Sequence, residues 1–330
     1  MKSSPLKNSR IFSTAGIFSI LLCCILSSCK NDKLISEYIP AQTIPTVISN
    51  ANVLKELHEK YSSPSTSVTF NAMDFGYITG PKGVQVSIPA NALLLPNGLA
   101  PTSPVNIVLK EILTPGEMIM NNKPTVGQNG ELLQSGGEIY LSVTSGGESL
   151  KLKPGSYINI MIPKPSGPVY GMKLLGGVED SIKGGVSWVV NNPVGMVIDT
   201  FSSFMCFLQK LDYKWINIDK PIDTSGSSYG FSANVNLPAI NKGIFLQECF
   251  MVFKATNTVA SVWFNNAGKA EVGKKIPAGT SVIMVCIIKE KKSGRFFYAK
   301  QTHIFNSDIH TKFDLVEMTE AEINDAIKLL

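Results

Sequence analysis

The chain has 330 residues, with 30 Lys+Arg against 25 Asp+Glu and only three histidines. At 44% hydrophobic and 17% charged it is too apolar for a disordered chain, and it is long enough for two or three domains of roughly 100–150 residues. Three histidines leave little material for a histidine-based metal site, and the charge balance is too weak for an evident nucleic-acid binder.

Residues 1–28 read as a lipoprotein signal peptide. Lys2, Lys7 and Arg10 form a positive start, and Ile11 to Leu26 follow as an apolar stretch of signal-peptide type. That stretch is short for a bilayer span, which takes roughly 20 residues. It closes on Leu26-Ser27-Ser28-Cys29, which resembles the bacterial lipobox: an aliphatic residue, two small residues, then cysteine. The resemblance implies cleavage before Cys29, a diacylglyceryl group on its thiol and a further acyl chain, such as palmitate, on its freed amine. Two or three chains on one residue anchor a protein stably, whereas one is marginal. Lys30 rather than an acidic residue follows the cysteine, which by analogy with enteric sorting favours the outer membrane. Removing the signal leaves 302 residues with 27 basic against 25 acidic side chains, a net +2. Arg295 is then the one arginine left, which weighs against phosphate-rich ligands and nucleic acid above all.

Residues 29–50 read as a lipid-anchored tether, with Pro40 and Pro45 and no periodicity. In 51–64 a short helix is predicted from the spacing of Val53, Leu54 and Leu57, with Ser49 or Asn50 as its cap. His58 lies beside Glu56 and Glu59 and reads as part of a solvated face. From 65 to 165 the texture is β: short runs rich in Val, Ile, Tyr and Leu, several alternating with period two, as in Val84-Val86-Ile88 and Val105-Ile107-Leu109. Asn129-Gly130 and Gly146-Gly147 are hairpin-turn signals. Residues 166–221 are a Gly-rich continuation with strands predicted at 195–200 and 204–209, ending in Trp215-Ile216-Asn217. A linker at 222–230 leads to a C-terminal β domain, 231–330, which closes on a helix with a Thr319/Glu322 capping box and Ile323, Ile327 and Leu330 on one face. The expected fold is mainly β, with two or more antiparallel β-sandwich-like domains, a short N-terminal helix and a C-terminal helix.

Gly83-Val84-Gln85-Val86-Ser87-Ile88-Pro89-Ala90-Asn91-Ala92-Leu93, followed by Val105 to Leu109, resembles the ZU-type β-sandwich of zona-occludens proteins, netrin receptors and ankyrins. The likeness covers about a quarter of the chain. It extends to bacterial lipoproteins that join this module to further β domains, through Glu111-Ile112, Met118-Ile119, Ser135 to Tyr140, and Trp215 to Asn217. Where that family has Cys-Asp after the asparagine, this chain has Ile218-Asp219. The resemblance implies an envelope protein that makes contacts. Some eukaryotic members cleave themselves at His-Phe-Ser; Phe201-Ser202 here lacks the histidine.

Catalytic patterns are thin. His303 and His310, with Asp308 or Asp314, match no metal-ligand spacing. Cys206, Cys249 and Cys286 each sit in an apolar run, as buried thiols do; Cys249 with Cys286 is the pair best placed for a disulfide in an oxidising compartment. Gly226-Ser227-Ser228-Tyr229-Gly230 matches Gly-x-Ser-x-Gly without the strand and helix that a nucleophile elbow needs. Glu111, Glu117, Glu131 and Glu138 offer scattered carboxylates. Trp188 and Trp215 read as core. Trp263 with Phe264, before Asn265-Asn266, is the ligand-binding candidate, suited to stacking on a sugar ring. No catalytic residue, metal or cofactor is expected. The leading expectation is a non-enzymatic interaction or scaffold lipoprotein of the outer membrane. Its partners would be the membrane, through the lipid, and an envelope protein or glycan. A surface glycan-binding lipoprotein is the alternative, and a carboxylate-based glycoside-active enzyme the third.

Overall fold

The computed structural model describes residues 46–48, 53–164, 167, 169–179, 185–236, 243–264, 269–271 and 276–330. The signal peptide, Cys29 and most of the tether lie outside them. The fold is mainly β, as expected.

Among the described residues, the first sheet runs in the order Ser65–Phe70, Val105–Ile112, Leu133–Ser145, Trp215–Pro221, Lys173–Glu179, Gly195–Asp199, Ser203–Leu208, Ile158–Pro163, Gln85–Ile88 and Gly76–Thr79, all antiparallel. Its two ends meet. A Cβ on Gly76 would lie 2.4 Å from the Phe70 ring, so the glycine lets the first and last strands close on each other. The alternating Val84, Val86, Ile88 and Val105, Ile107, Leu109 point into one core with Ile160, Phe204, Cys206 and Ile218. The Gly146-Gly147 turn forms as anticipated: both residues have positive φ and Ser145 faces Glu148 across it.

The second sheet is built around Ile244–Phe253 and Ser281–Glu290, flanked by Thr258–Phe264 and Phe296–Ile304. Two of its pairings are parallel: Phe231–Asn236 with Ile309–Asp314, and Thr46–Ile48 with Ile244–Phe253. The central strands are apolar on both faces because both are covered. Phe245, Cys249, Met251, Met284 and Cys286 enter one core, while Phe250, Val252, Val285 and Ile287 enter another. That second core is shared with the first sheet and the helices: Leu133, Trp188, Trp215, Met118, Leu57 and Ile323 all belong to it. Trp188 and Trp215 are thus core residues. Hydrogen bonds also cross between the sheets, from Thr258 Oγ1 to Leu133 O at 2.7 Å and from Val259 N to Thr125 Oγ1 at 2.8 Å.

Among the described residues, three α-helices dress this junction. The C-terminal helix Glu320–Lys328 has the capping box read from Thr319 and Glu322. The N-terminal helix is shorter than expected, Lys55–Tyr61, with Leu54 at its cap and no side-chain cap bond; the expected caps Ser49 and Asn50 lie outside the described residues. His58 is a second correction. It is buried rather than solvated, its Nε2 2.6 Å from Glu248 Oε2, while Glu248 Oε1 accepts from Leu54 N at 3.0 Å. The buried carboxylate holds both the helix start and its histidine against the second sheet. The helix Pro115–Met120 was not anticipated. Thr114 and Glu117 form its capping box, with proline in the first turn. Gly116 lets it touch the C-terminal helix, for a Cβ there would stand 2.4 Å from Ile327 O. Within 222–230, Ser228–Tyr229 pairs with Ile276–Pro277, so no helix follows Ser228.

Candidate functional site

The leading surface feature is an apolar face on the first sheet. In the hairpin Gly195–Asp199 and Ser203–Leu208, the alternate residues Phe204, Cys206 and Leu208 are buried in the first core. The intervening residues face outward and are apolar too. Met196 stands opposite Phe207, and Ile198 opposite Met205, which in turn faces Met161 on the next strand. Met196 is 57% exposed, Ile198 51% and Met205 39%. Tyr157 packs edge-on against Phe207 at 5.4 Å, and Phe201 in the connecting turn is 78% exposed. Contiguous exposed apolar surface of this kind marks contact sites, and flexible methionines suit surfaces that adapt to a partner. The sequence missed it because a run such as Ser203–Leu208 reads equally as a strand buried on both faces.

Two of the motifs that carried the family resemblance meet at the junction between the sheets. Asn217 pairs with Glu138 and Asp219 with Ser135, so Gly136 and Gly137 together oppose the single Ile218. This is a β-bulge, and it needs both glycines. Gly137 has φ +119°, and a Cβ on Gly136 would lie 2.5 Å from the Phe204 ring. The extra residue shifts the strand's parity, so Ser135 and Glu138 both turn toward Asn217 and Asp219. Ser135 Oγ donates to Asn217 Oδ1 at 3.2 Å, and Asn217 Nδ2 donates to Asp219 Oδ2 at 2.6 Å and approaches Glu138 Oε1 at 3.5 Å.

Glu138 and Asp219 are fully buried. Desolvation raises both carboxyls well above their ordinary range. The charge of Asp219 raises Glu138 further against the pull of Lys123, while bonds from Ser135 and Asn217 oppose the rise at Asp219. Burial thus favours the protonated form at both positions. Lys123 sits 4.6 Å from the Trp215 ring centroid, its own pKa lowered chiefly by burial, and Trp215 Nε1 donates to Glu179. Ser135 also lines a cleft of about 620 Å³ between the sheets, with Gln134, Phe204, Met172 and Lys254 among its walls. Glu138 and Asp219 lie beneath that wall, where a sugar cannot reach them.

The other candidates fall elsewhere. Trp263 and Phe264 end a strand, opposite Glu271 and Ala270; their side chains lie outside the described residues. Glu111 accepts from Lys82 N and Val84 N, Glu117 caps a helix, and Glu131 closes the Asn129-Gly130 turn, so these three carboxylates hold local backbone. His310 Nδ1 is 2.5 Å from Ser232 Oγ, while His303 Nε2 lies 3.4 Å from Gln301 Oε1. Among the described residues no three His, Cys, Asp or Glu side chains converge as a metal-holding group.

No family model matches the chain, and no curated protein does. Among solved structures, gamma-CGTase from alkalophilic Bacillus clarkii is similar at 11% identity, over 76% of this chain and 41% of that one. The TM-score is 0.20, too low for any statement about shared fold or function. The chain spans about two fifths of that protein's length.

Proposed function

We propose that the chain is a lipid-anchored, non-enzymatic contact module of the outer membrane, held through Cys29 and meeting a protein partner with the apolar face around Met196, Ile198 and Met205. The exposed face carries this reading, since contiguous exposed apolar surface marks contact sites. The anchoring rests on Leu26-Ser27-Ser28-Cys29 and the apolar stretch before it. The resemblance of residues 83–109 to ZU-type modules, which mostly mediate contacts, points the same way by analogy. Full burial of Glu138 and Asp219 lends the glycoside-active reading no support, because glycoside chemistry needs both carboxylates beside the sugar. A glycan-binding role draws some support from the cleft, where Gln134 and Thr256 offer hydrogen bonding.

Two variants test the proposal. Cys29→Ala abolishes palmitate incorporation and membrane retention; unchanged fractionation contradicts the anchor. Ile198→Asp with Met205→Asp keeps the thermal midpoint but removes the adducts that chemical crosslinking yields in intact cells. Adducts that survive the double substitution contradict the contact face.

A further inference from the structure

We propose that Cys249 and Cys286 form a cross-strand disulfide that closes while the chain folds, and that Cys206 stays a thiol. All three are free thiols in the structure. Cys249 and Cys286 are direct partners in the antiparallel pairing of Ile244–Phe253 with Ser281–Glu290. Directly opposed residues of such a pair have Cα atoms about 4.5–5.5 Å apart and side chains on the same face. That lies inside the roughly 4.4–6.8 Å Cα separation a disulfide spans. Both side chains enter the same core, and their thiols interact. The row they form is Val262, Cys249, Cys286 and Ala299, which places small or compact neighbours on either side. Cys206 provides an internal control. It faces Val197 and Ile160 in the other core, with no cysteine opposite.

Burial dictates when the bond forms. Exchange requires a thiolate that can reach a partner disulfide, and burial pushes the Cys249 thiol well above its ordinary value. One thiolate of the nascent chain attacks a disulfide donor, such as oxidised glutathione or a dithiol oxidoreductase, and expels one donor thiolate. The second cysteine then attacks the mixed disulfide and expels the other. The chain loses two protons and two electrons, and the donor disulfide becomes two thiols. Once the strands have closed, a reduced pair resists oxidation and a closed pair resists reduction. In the cell the step depends on the envelope location proposed above, because the cytosol keeps thiols reduced.

Full-length protein, reduced and denatured, is refolded in a glutathione redox buffer, alkylated and digested without reductant. The expected product is a linked Cys249–Cys286 peptide beside alkylated Cys206, with a thermal midpoint above that of protein refolded fully reduced. Natively folded, reduced protein placed in the same buffer reacts at least tenfold more slowly. Alkylated Cys249 and Cys286 after oxidative refolding, or a link to Cys206, overturns the proposal. The same digest of protein taken from the envelope separates the two readings. A linked pair supports both. Free thiols there, with the bond formed on refolding, leave the disulfide geometry standing and count against the envelope location.

Discussion

Glu138 and Asp219 make the folded state depend on pH in a direction opposite to the usual acidic residue. Their folded pKa values are raised, so the neutral form is the one that packs. Their stabilising contribution is complete below the ordinary carboxylate value of about 4 and is lost as pH rises through the raised folded values. Glu138→Gln with Asp219→Asn retains the shape and removes the titration. Thermal midpoints measured from pH 5 to pH 9 are therefore expected to fall more steeply for the unaltered chain than for the double variant. Parallel slopes contradict raised folded pKa values at these two carboxyls. At His58 the residue-scale error has a clear physical source. A glutamate on either side suggests a solvated helix face, but the partner that buries the histidine, Glu248, lies far away in sequence and belongs to the second sheet. Leaving a buried hydrogen-bonding group without its partner typically costs about 1–3 kcal/mol. His58→Ala is expected to lower chemical-denaturation stability on that scale, and a change below about 1 kcal/mol contradicts the buried contact.

At the scale of elements, local chemistry was legible where it acts within a few residues. The Thr319/Glu322 box, the Gly146-Gly147 turn and the alternation in Val84–Ile88 and Val105–Leu109 all declare themselves in sequence and fold as read. The Pro115–Met120 helix has the same kind of signature in Thr114, Pro115 and Glu117, yet six residues carry too little periodicity to separate it from the strands on either side. The Gly136-Gly137 bulge was visible only as a motif, because its reason, Ile218 and the Phe204 ring, lies on other strands. Gly137→Ala forces a Cβ onto a positive φ, 2.9 Å from Leu113, and is expected to cost about 1–3 kcal/mol and loosen the Glu138–Asn217–Asp219 array. Hydrogen exchange at Glu138 and Asp219 reads this directly; unchanged protection contradicts the bulge's role. Thr319→Ala is expected to cost about 1 kcal/mol through the lost cap, with urea denaturation as the check.

Among the described residues, two large sheets are joined by a shared core. Trp188 and Trp215 from the first sheet, Phe250 and Ile287 from the second, and Leu57 and Ile323 from the helices share it. The class of fold followed from composition and period. The shared core did not, because runs such as Ile244–Phe253 do not announce which neighbour will cover their second face. The same ambiguity hid the outward side of Gly195–Leu208, where the second face is apolar and exposed. That face is the centre of the functional account, and it admits a direct measurement. A photo-crosslinking amino acid is placed at Met205 in intact cells, with the exposed Lys300 of the second sheet as the comparison position. The account predicts a discrete protein adduct from position 205, absent from position 300 and lost when Ile198 is changed to Asp. Equal labelling from both positions, or none from 205 in folded, membrane-retained protein, contradicts it.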